Sequence, residues 1–96
     1  MTVRISEDAK TDIKGIYIHS YQNFGERKGD EYVDELNTML DELPNALRVS
    51  DYGFVREGLK RSNYRSHAVY YRIEGTDTVV LRVLHQRMDP ASHIEF

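Results

Sequence analysis

The chain contains no cysteine, which excludes disulfide bonds and metal sites with thiolate ligands. It has no apolar run of membrane-spanning length and no basic-then-apolar opening segment, so we expect neither a membrane span nor a secretory signal. Repeats, linkers and low-complexity stretches are missing as well, which predicts a single domain over residues 1–96. Packing of apolar side chains must stabilise such a domain, and a cytoplasmic location suits a chain without cysteine.

Common catalytic and metal-binding motifs are absent too. The sequence has no glycine-rich phosphate loop, no HExxH pair, and no Ser, His and Asp at a spacing that identifies a catalytic triad. Its four histidines are scattered along the sequence: His19, His67, His85 and His93. We therefore predict no metal ion and no cofactor.

An excess of basic charge, which is typical of general nucleic-acid binders, is also missing, since the net charge is −3. We expect no direct, sequence-specific nucleic-acid binding. The two halves differ, however: residues 1–50 carry 6 Lys and Arg against 10 Asp and Glu, whereas residues 51–96 carry 7 against 6. Six of the seven later cations are arginines, which suit bidentate contacts with carboxylates or phosphates. A local basic patch and ordinary solvated surface charge both fit this pattern.

The first half of the sequence predicts a strand and two helices. Val3 and Ile5 alternate with polar residues as in a short strand, and Ser6 followed by two acids is typical of a helix N-cap. Apolar residues at helical spacing predict helices over about 7–21 and 26–43, separated by the turn QNFG. Pro44 should end the second helix.

The second half predicts an irregular segment at 45–58 and then three strands, at 59–65, 67–74 and 78–85. The last two strands are joined by EGTD, a sequence that favours a tight hairpin turn. The order strand, two helices, three strands predicts an α+β domain. In it, a helical hairpin covers one face of a mostly antiparallel sheet.

The two C-terminal strands should present different side chains on their two faces, because strand residues alternate. We expect the set without arginine to face the helices: Val69, Tyr71, Ile73, Val79, Leu81, Val83 and His85. The other set then lies on an open face: Tyr70, Arg72, Val80, Arg82 and Leu84. Such a face is too apolar for solvent and too cationic for a core.

Two kinds of cover fit this open face. The chain's own tail and the segment 45–58 can fold over it, or another protein chain can bind there. The sequence favours a partner, because the terminal HIEF is short and itself apolar.

Cationic residues also gather near the ends of the predicted strands: Lys60, Arg61, Arg65, Arg82, Arg87 and His93. Such a set can clamp a phosphodiester while a histidine acts as acid or base, so a metal-free RNA-cleaving site is one interpretation. Contacts with acidic residues of a partner chain are the other.

Two segments, GLKRSNYRSHAVYYRIE and TVVLRVLHQRMDPASHI, resemble the C-terminal half of the RelE/ParE toxin superfamily. The likeness is greatest to the ParE branch and depends on Tyr64-Arg65, on Tyr71-Arg72-Ile73 and on residues 80–90. The N-terminal strand and helical hairpin match that family in order and length.

The resemblance implies a small bacterial toxin that forms a hetero-oligomer with a cognate ParD-like antitoxin, which wraps its sheet and groove. It further implies that the toxin poisons DNA gyrase and blocks replication. On this interpretation, the antitoxin contacts the open face: Tyr70, Arg72, Val80, Arg82 and Leu84. Arg65, His85 and Arg87 are the candidates for binding the target, and no catalytic residue is assigned.

The RelE branch gives the alternative, a ribosome-dependent mRNA endonuclease. By resemblance, Arg65 and Arg87 fall where that branch has catalytic arginines, and His93 falls near its C-terminal acid/base residue. That branch is strongly basic, whereas this chain has a net charge of −3, and Lys60 is the only lysine after Lys28. The sequence therefore favours a gyrase poison over a nuclease.

Overall fold

The computed structural model describes residues 2–94, and the predicted order of elements is confirmed. Two helices and five strands follow one another along the chain: β1 (Thr2–Ile5), α1 (Glu7–Phe24), α2 (Glu26–Asp41), β2 (Ser50–Asp51), β3 (Lys60–Tyr64), β4 (His67–Glu74) and β5 (Asp77–His85). The strands form one sheet in the order β1-β5-β4-β3-β2. β1 runs parallel to β5 and the other neighbours are antiparallel.

The start of α1 is fixed by Ser6. Its hydroxyl oxygen accepts a hydrogen bond from the Ala9 N–H at 3.0 Å, which satisfies a free donor of the first helical turn. The same hydroxyl donates to the Leu81 carbonyl at 2.9 Å, and the Ser6 N–H donates to the Val80 carbonyl at 3.0 Å. The predicted N-cap is thus confirmed, and it also attaches the helix to β5.

One glycine, Gly25, separates the two helices of the hairpin. Helix α1 extends to Phe24 instead of ending at the predicted Tyr21, because Gly25 alone (φ 90°) provides the break. The helices then pack closely at Gly29, where a Cβ atom would lie 3.2 Å from the Tyr21 backbone nitrogen. Helix α2 ends at Asp41, and Pro44 lies in a short 3₁₀ turn that follows it.

The helices cover one face of the sheet and enclose the helix-face core. Its buried members come from the two helices, from the 3₁₀ turn after α2 and from strands β4 and β5: Ala9, Ile16, Leu36, Leu40, Leu43, Val69, Tyr71, Val80 and Val83. Val80 was predicted on the opposite face, and that prediction is wrong. A β-bulge places one extra residue in β5, so that Tyr70 pairs with Arg82 while Tyr71 pairs with Val80. The bulge interrupts the alternation, and Val80 and Val83 both face the helices.

The opposite face of the sheet is also covered, by the chain itself. We call the buried residues there the tail-face cluster: Leu59, Ala68, Tyr70, Leu84 and Ile94. Tyr52 and Val55, from the segment before β3, pack against it. The prediction of an open face is therefore wrong, since Tyr70 is 0% exposed and Leu84 is 2% exposed.

The two arginines predicted on the open face are engaged by the chain's own acids. Arg72 lies 2.6 Å from Glu74. Arg82 donates to both carboxylate oxygens of Asp12, at 2.8 and 2.9 Å, and also to the His93 carbonyl at 2.7 Å. The hydrogen bond and the nearby charge of Asp12 raise the pKa of Arg82, although burial acts in the opposite direction. Arg82 thus connects α1 with the tail.

Candidate binding groove

A groove of about 490 Å³ opens between the helical hairpin and one edge of the sheet, where β3 and β5 end and β4 begins. The helices contribute His19, Phe24, Lys28, Tyr32 and Glu35 to its lining, together with Ser20 and Glu31. The sheet contributes Arg65, Ser66, His67 and His85. Two of the three predicted target-binding residues, Arg65 and His85, therefore line one groove, whereas Arg87 is not part of its lining.

Arg65 occupies an unusual backbone conformation at the turn between β3 and β4. Its φ of 50° makes it the one non-glycine residue with positive φ in the described part of the chain. That region disfavours residues with a Cβ atom, and surrounding contacts must hold it. Gln86 supplies two of them: its side-chain amide donates to the Arg65 carbonyl, and its backbone N–H donates to the Ser66 carbonyl at 2.9 Å. The polar run after β5 therefore has a structural task, which is to fix this turn.

The turn directs the Arg65 guanidinium towards α2. It forms an ion pair with Glu35 at 2.5 Å and lies 5.8 Å from the centre of the Tyr32 ring and 5.6 Å from that of Tyr64. Tyr64 donates its hydroxyl to the same Glu35 carboxylate at 2.8 Å. Burial and then this hydrogen bond raise the pKa of Tyr64 to about 12.

Histidines come together on the sheet side of the groove. His67 and His85 are directly paired across β4 and β5, with ring centres 5.7 Å apart. The Tyr32 hydroxyl lies 2.7 Å from Nδ1 of His67. Burial, followed by the proximity of His85 and His19, lowers the pKa of His67, so the neutral imidazole is favoured.

This histidine pair was missed because its members are eighteen positions apart in the sequence. The signal that could have found it is the hairpin register. If the EGTD turn is closed first, the residue at the start of one strand comes opposite the residue at the end of the next. Tyr32, Glu35 and Gln86 carried no comparable signal, because their partners lie on elements that meet only in the folded chain.

The three residues of the predicted nuclease site lie in different surroundings. Arg65 lines the groove, while Arg87 and His93 are exposed outside its lining. His93 is part of the tail, and its carbonyl accepts from Arg82. Within residues 2–94, no group of three or more His, Asp or Glu side chains is arranged to hold a metal ion. No helix in that range has the length and hydropathy needed to cross a bilayer.

Residues 3–90 match the family described as "ParE toxin of type II toxin-antitoxin system, parDE". The chain belongs to this ParE toxin family. A protein named Toxin ParE1 from Caulobacter vibrioides is 33% identical over 94 residues, which cover 95% of each chain. Another Toxin ParE1, from Mycobacterium tuberculosis, is 33% identical over 89 residues, covering 88% of this chain and 89% of the relative. The ParE-like resemblance of the sequence is thereby confirmed.

A solved structure titled "Chromosomal ParDE TA system from P. aeruginosa" has a similar fold. The TM-score is 0.76, with 16% sequence identity, and the match covers 88% of this chain and 95% of the other. It confirms the α+β architecture. The chain is thus a ParE toxin of a type II toxin–antitoxin system, with the fold of a ParE-like protein.

Proposed function

We propose that this ParE toxin inhibits DNA gyrase, blocks replication, and is neutralised by a ParD-like antitoxin. The observation that carries the proposal is the family match over residues 3–90, supported by two relatives that are themselves named Toxin ParE1. The net charge of −3 supports the choice of a protein target over the ribosome, whose RNA attracts basic proteins. The separation of Arg65 from Arg87 and His93 agrees with that choice.

A supercoiling assay tests the target. Purified toxin added to gyrase and relaxed plasmid should abolish supercoiling and accumulate cleaved DNA. Gln86→Ala, which releases the Arg65 turn, should weaken this inhibition, and exposed Lys14→Gln, outside the groove, is the matched control. Full supercoiling in the presence of folded toxin, together with mRNA cleavage on ribosomes, would replace the gyrase proposal with the nuclease alternative.

Tyr70, Val80 and Leu84 are buried, so they offer an antitoxin no exposed surface. We propose instead that the antitoxin binds at the β2 edge of the sheet. β2 has only two residues and is the last strand of the sheet on its side. Three exposed apolar side chains surround it: Leu47 is 98% exposed, Phe54 81% and Val49 41%. An apolar surface at an open strand edge suits an extended peptide that adds a strand.

A groove of about 570 Å³ continues this edge towards the end of α2, with Met39, Ala46 and Asn63 in its lining. It gives the side chains of an added strand a place to pack. Arg72 stays a candidate antitoxin contact, since 31% of its side chain is exposed. Arg82 is a weaker one, because Asp12 and the tail already use its donors.

Matched substitutions test this placement. Leu47→Glu should weaken binding of the antitoxin encoded with this toxin by about tenfold or more, because it introduces a charge into an apolar contact. Ile18→Glu, on an exposed and apolar position of α1, should leave affinity unchanged. Equal affinities for both variants, measured by calorimetry, would move the antitoxin away from the β2 edge.

A further inference from the structure

The groove beside Arg65 holds more hydrogen-bond donors than its own acids can use. Its two carboxylates each have a cation: Glu35 pairs with Arg65, and Glu31 pairs with Arg27 at 3.2 Å. Among the described residues, no carboxylate lies within ion-pair distance of Lys28, which also lines the groove. Lys28 is therefore a positive charge without an internal counterion.

One histidine of the groove is fixed as a hydrogen-bond donor by its backbone contact. Nδ1 of His85 accepts the backbone N–H of Arg87 at 3.2 Å. Because a backbone N–H can only donate, the neutral imidazole of His85 must carry its proton on Nε2. In His67 and His19 the Nδ1 atoms lie within hydrogen-bond distance of Tyr32 and Asn23, at 2.7 and 3.3 Å. Each ring thus has Nδ1 engaged, and Nε2 is the nitrogen left for a ligand.

This arrangement favours an oxyanion over a metal ion. A metal ligand needs a nitrogen lone pair, whereas His85 offers Nε2 as a hydrogen-bond donor. The Nε2–H group of His85 and the ammonium group of Lys28 suit the acceptor oxygens of a phosphate, with the imidazole of His67 beside them. At the rim of the same groove, Phe24 at the end of α1 is 64% exposed, and Lys28 in the first turn of α2 lines the groove as well. An exposed aromatic ring beside a cation is a suitable surface for stacking a nucleobase.

We propose that this groove binds a nucleotide, with the phosphate held by Lys28, His67 and His85 and the base stacked on Phe24. The site is distinct from the β2 edge, and it shares His85 with the residues predicted to bind the target. A free nucleotide and a single nucleic-acid strand share this chemistry.

The charged groups that face His67 are already paired with each other. The groups that face His67 are Tyr32 of α2, His19 of α1, His85 of β5 and the Arg65–Glu35 ion pair. The one carboxylate among these groups is that of Glu35, which already accepts hydrogen bonds from Arg65 and Tyr64. It therefore does not compete with the phosphate of a ligand for the His67 imidazole.

NMR titration of the imidazole signals tests the proposal directly. Adenosine monophosphate at about pH 6 should shift the signals of His67 and His85 in a saturable way. Affinity should fall about fivefold in Lys28→Gln, the effect of losing one exposed charge contact. Lys14→Gln, outside the groove, should bind as the unchanged protein does.

Further ligands identify the source of the phosphate. Tighter binding of adenosine monophosphate than of inorganic phosphate, with loss of that difference in Phe24→Ala, supports a free nucleotide. Still tighter binding of a short thymidine oligonucleotide supports a nucleic-acid strand. Two results would overturn the site: no saturable histidine shift with adenosine monophosphate, or equal shifts with sodium acetate at the same ionic strength.

Discussion

The two faces of the sheet are sealed by different kinds of structure. On one side, helices α1 and α2 cover the helix-face core, and their apolar residues recur at helical spacing. On the other, the segment before β3 and, within the described tail, Ile94 close over the buried strand residues of the tail-face cluster. A face of a sheet can therefore be buried by chain segments that have no hydrophobic periodicity. A sheet surface that is apolar in the sequence therefore does not by itself imply a partner.

The largest effect should come from cutting into the helix-face core. Leu36→Ala removes a side chain that is 0% exposed, between α2 and the sheet, where regular elements on both sides limit collapse of the cavity. We expect a loss of about 3–5 kcal/mol in the free energy of unfolding. Urea denaturation followed by circular dichroism measures it. Leu47→Ala, at a position 98% exposed, should change stability by less than about 0.5 kcal/mol.

A smaller effect should come from breaking the contact that links the two sides. Asp12 of α1 accepts from Arg82 and also from the Val83 N–H at 2.9 Å, while Arg82 reaches the tail. The two side chains are 12% and 22% exposed, so neither is fully solvated. We expect Asp12→Ala to cost about 2–3 kcal/mol, because it removes the carboxylate that pairs with Arg82 and leaves the Val83 N–H without its acceptor.

Asp12→Asn separates the two parts of that effect. The amide oxygen can still accept the Val83 N–H, so only the charge is lost and the cost should be about half as large. If both substitutions at Asp12 cost the same in urea denaturation, the backbone hydrogen bond contributes nothing and the ion pair alone joins the helix to the tail.

Truncating a side chain in the tail-face cluster should cost less stability than truncating one in the helix-face core. Ile94→Ala opens a cavity beneath a short terminal segment, which can relax more easily than a helix packed along its length. We expect the free energy of unfolding to fall by about 1–2 kcal/mol. Amide hydrogen exchange in β3 and β4 should also be faster in Ile94→Ala than in Leu36→Ala, when the two variants are compared under conditions that give them the same free energy of unfolding. A loss as large as that of Leu36→Ala would show that the tail is as firmly packed as the helices.

Much of the fold could be predicted because its periodic signals are local. Helical spacing gave both helices, and EGTD gave the β4–β5 hairpin, where Gly75 has φ 61°. The failures are at places where a tertiary contact overrides a local rule. The bulge moves Val80 to the helix face, and β2 is too short to be recognised before it pairs with β3.

The candidate groove was less predictable than the fold, for a similar reason. Arg65 and His85 could be selected from the ParE-like pattern, because cations at strand ends are visible in the sequence. Their neighbours Tyr32 and Gln86 could not, since each meets the groove through a long-range hydrogen bond. The open face itself could not be judged from the sequence, because that required knowing where Ile94 packs.

The smallest expected effect is a difference between the two faces of the sheet in how the free energy of unfolding changes with pH. His67 lies on the helix side, and burial there lowers its pKa from the usual 6.5. The unfolded chain then binds a proton more readily than the folded one, so stability should fall as pH drops below about 6.5 and level off below the folded pKa. His67→Asn should flatten that slope relative to the unchanged protein in urea denaturation at successive pH values. Ile94→Ala should keep it, because the tail-face cluster contains no histidine. An equal slope in the His67→Asn variant would assign the acid sensitivity to another group and remove this difference between the two faces.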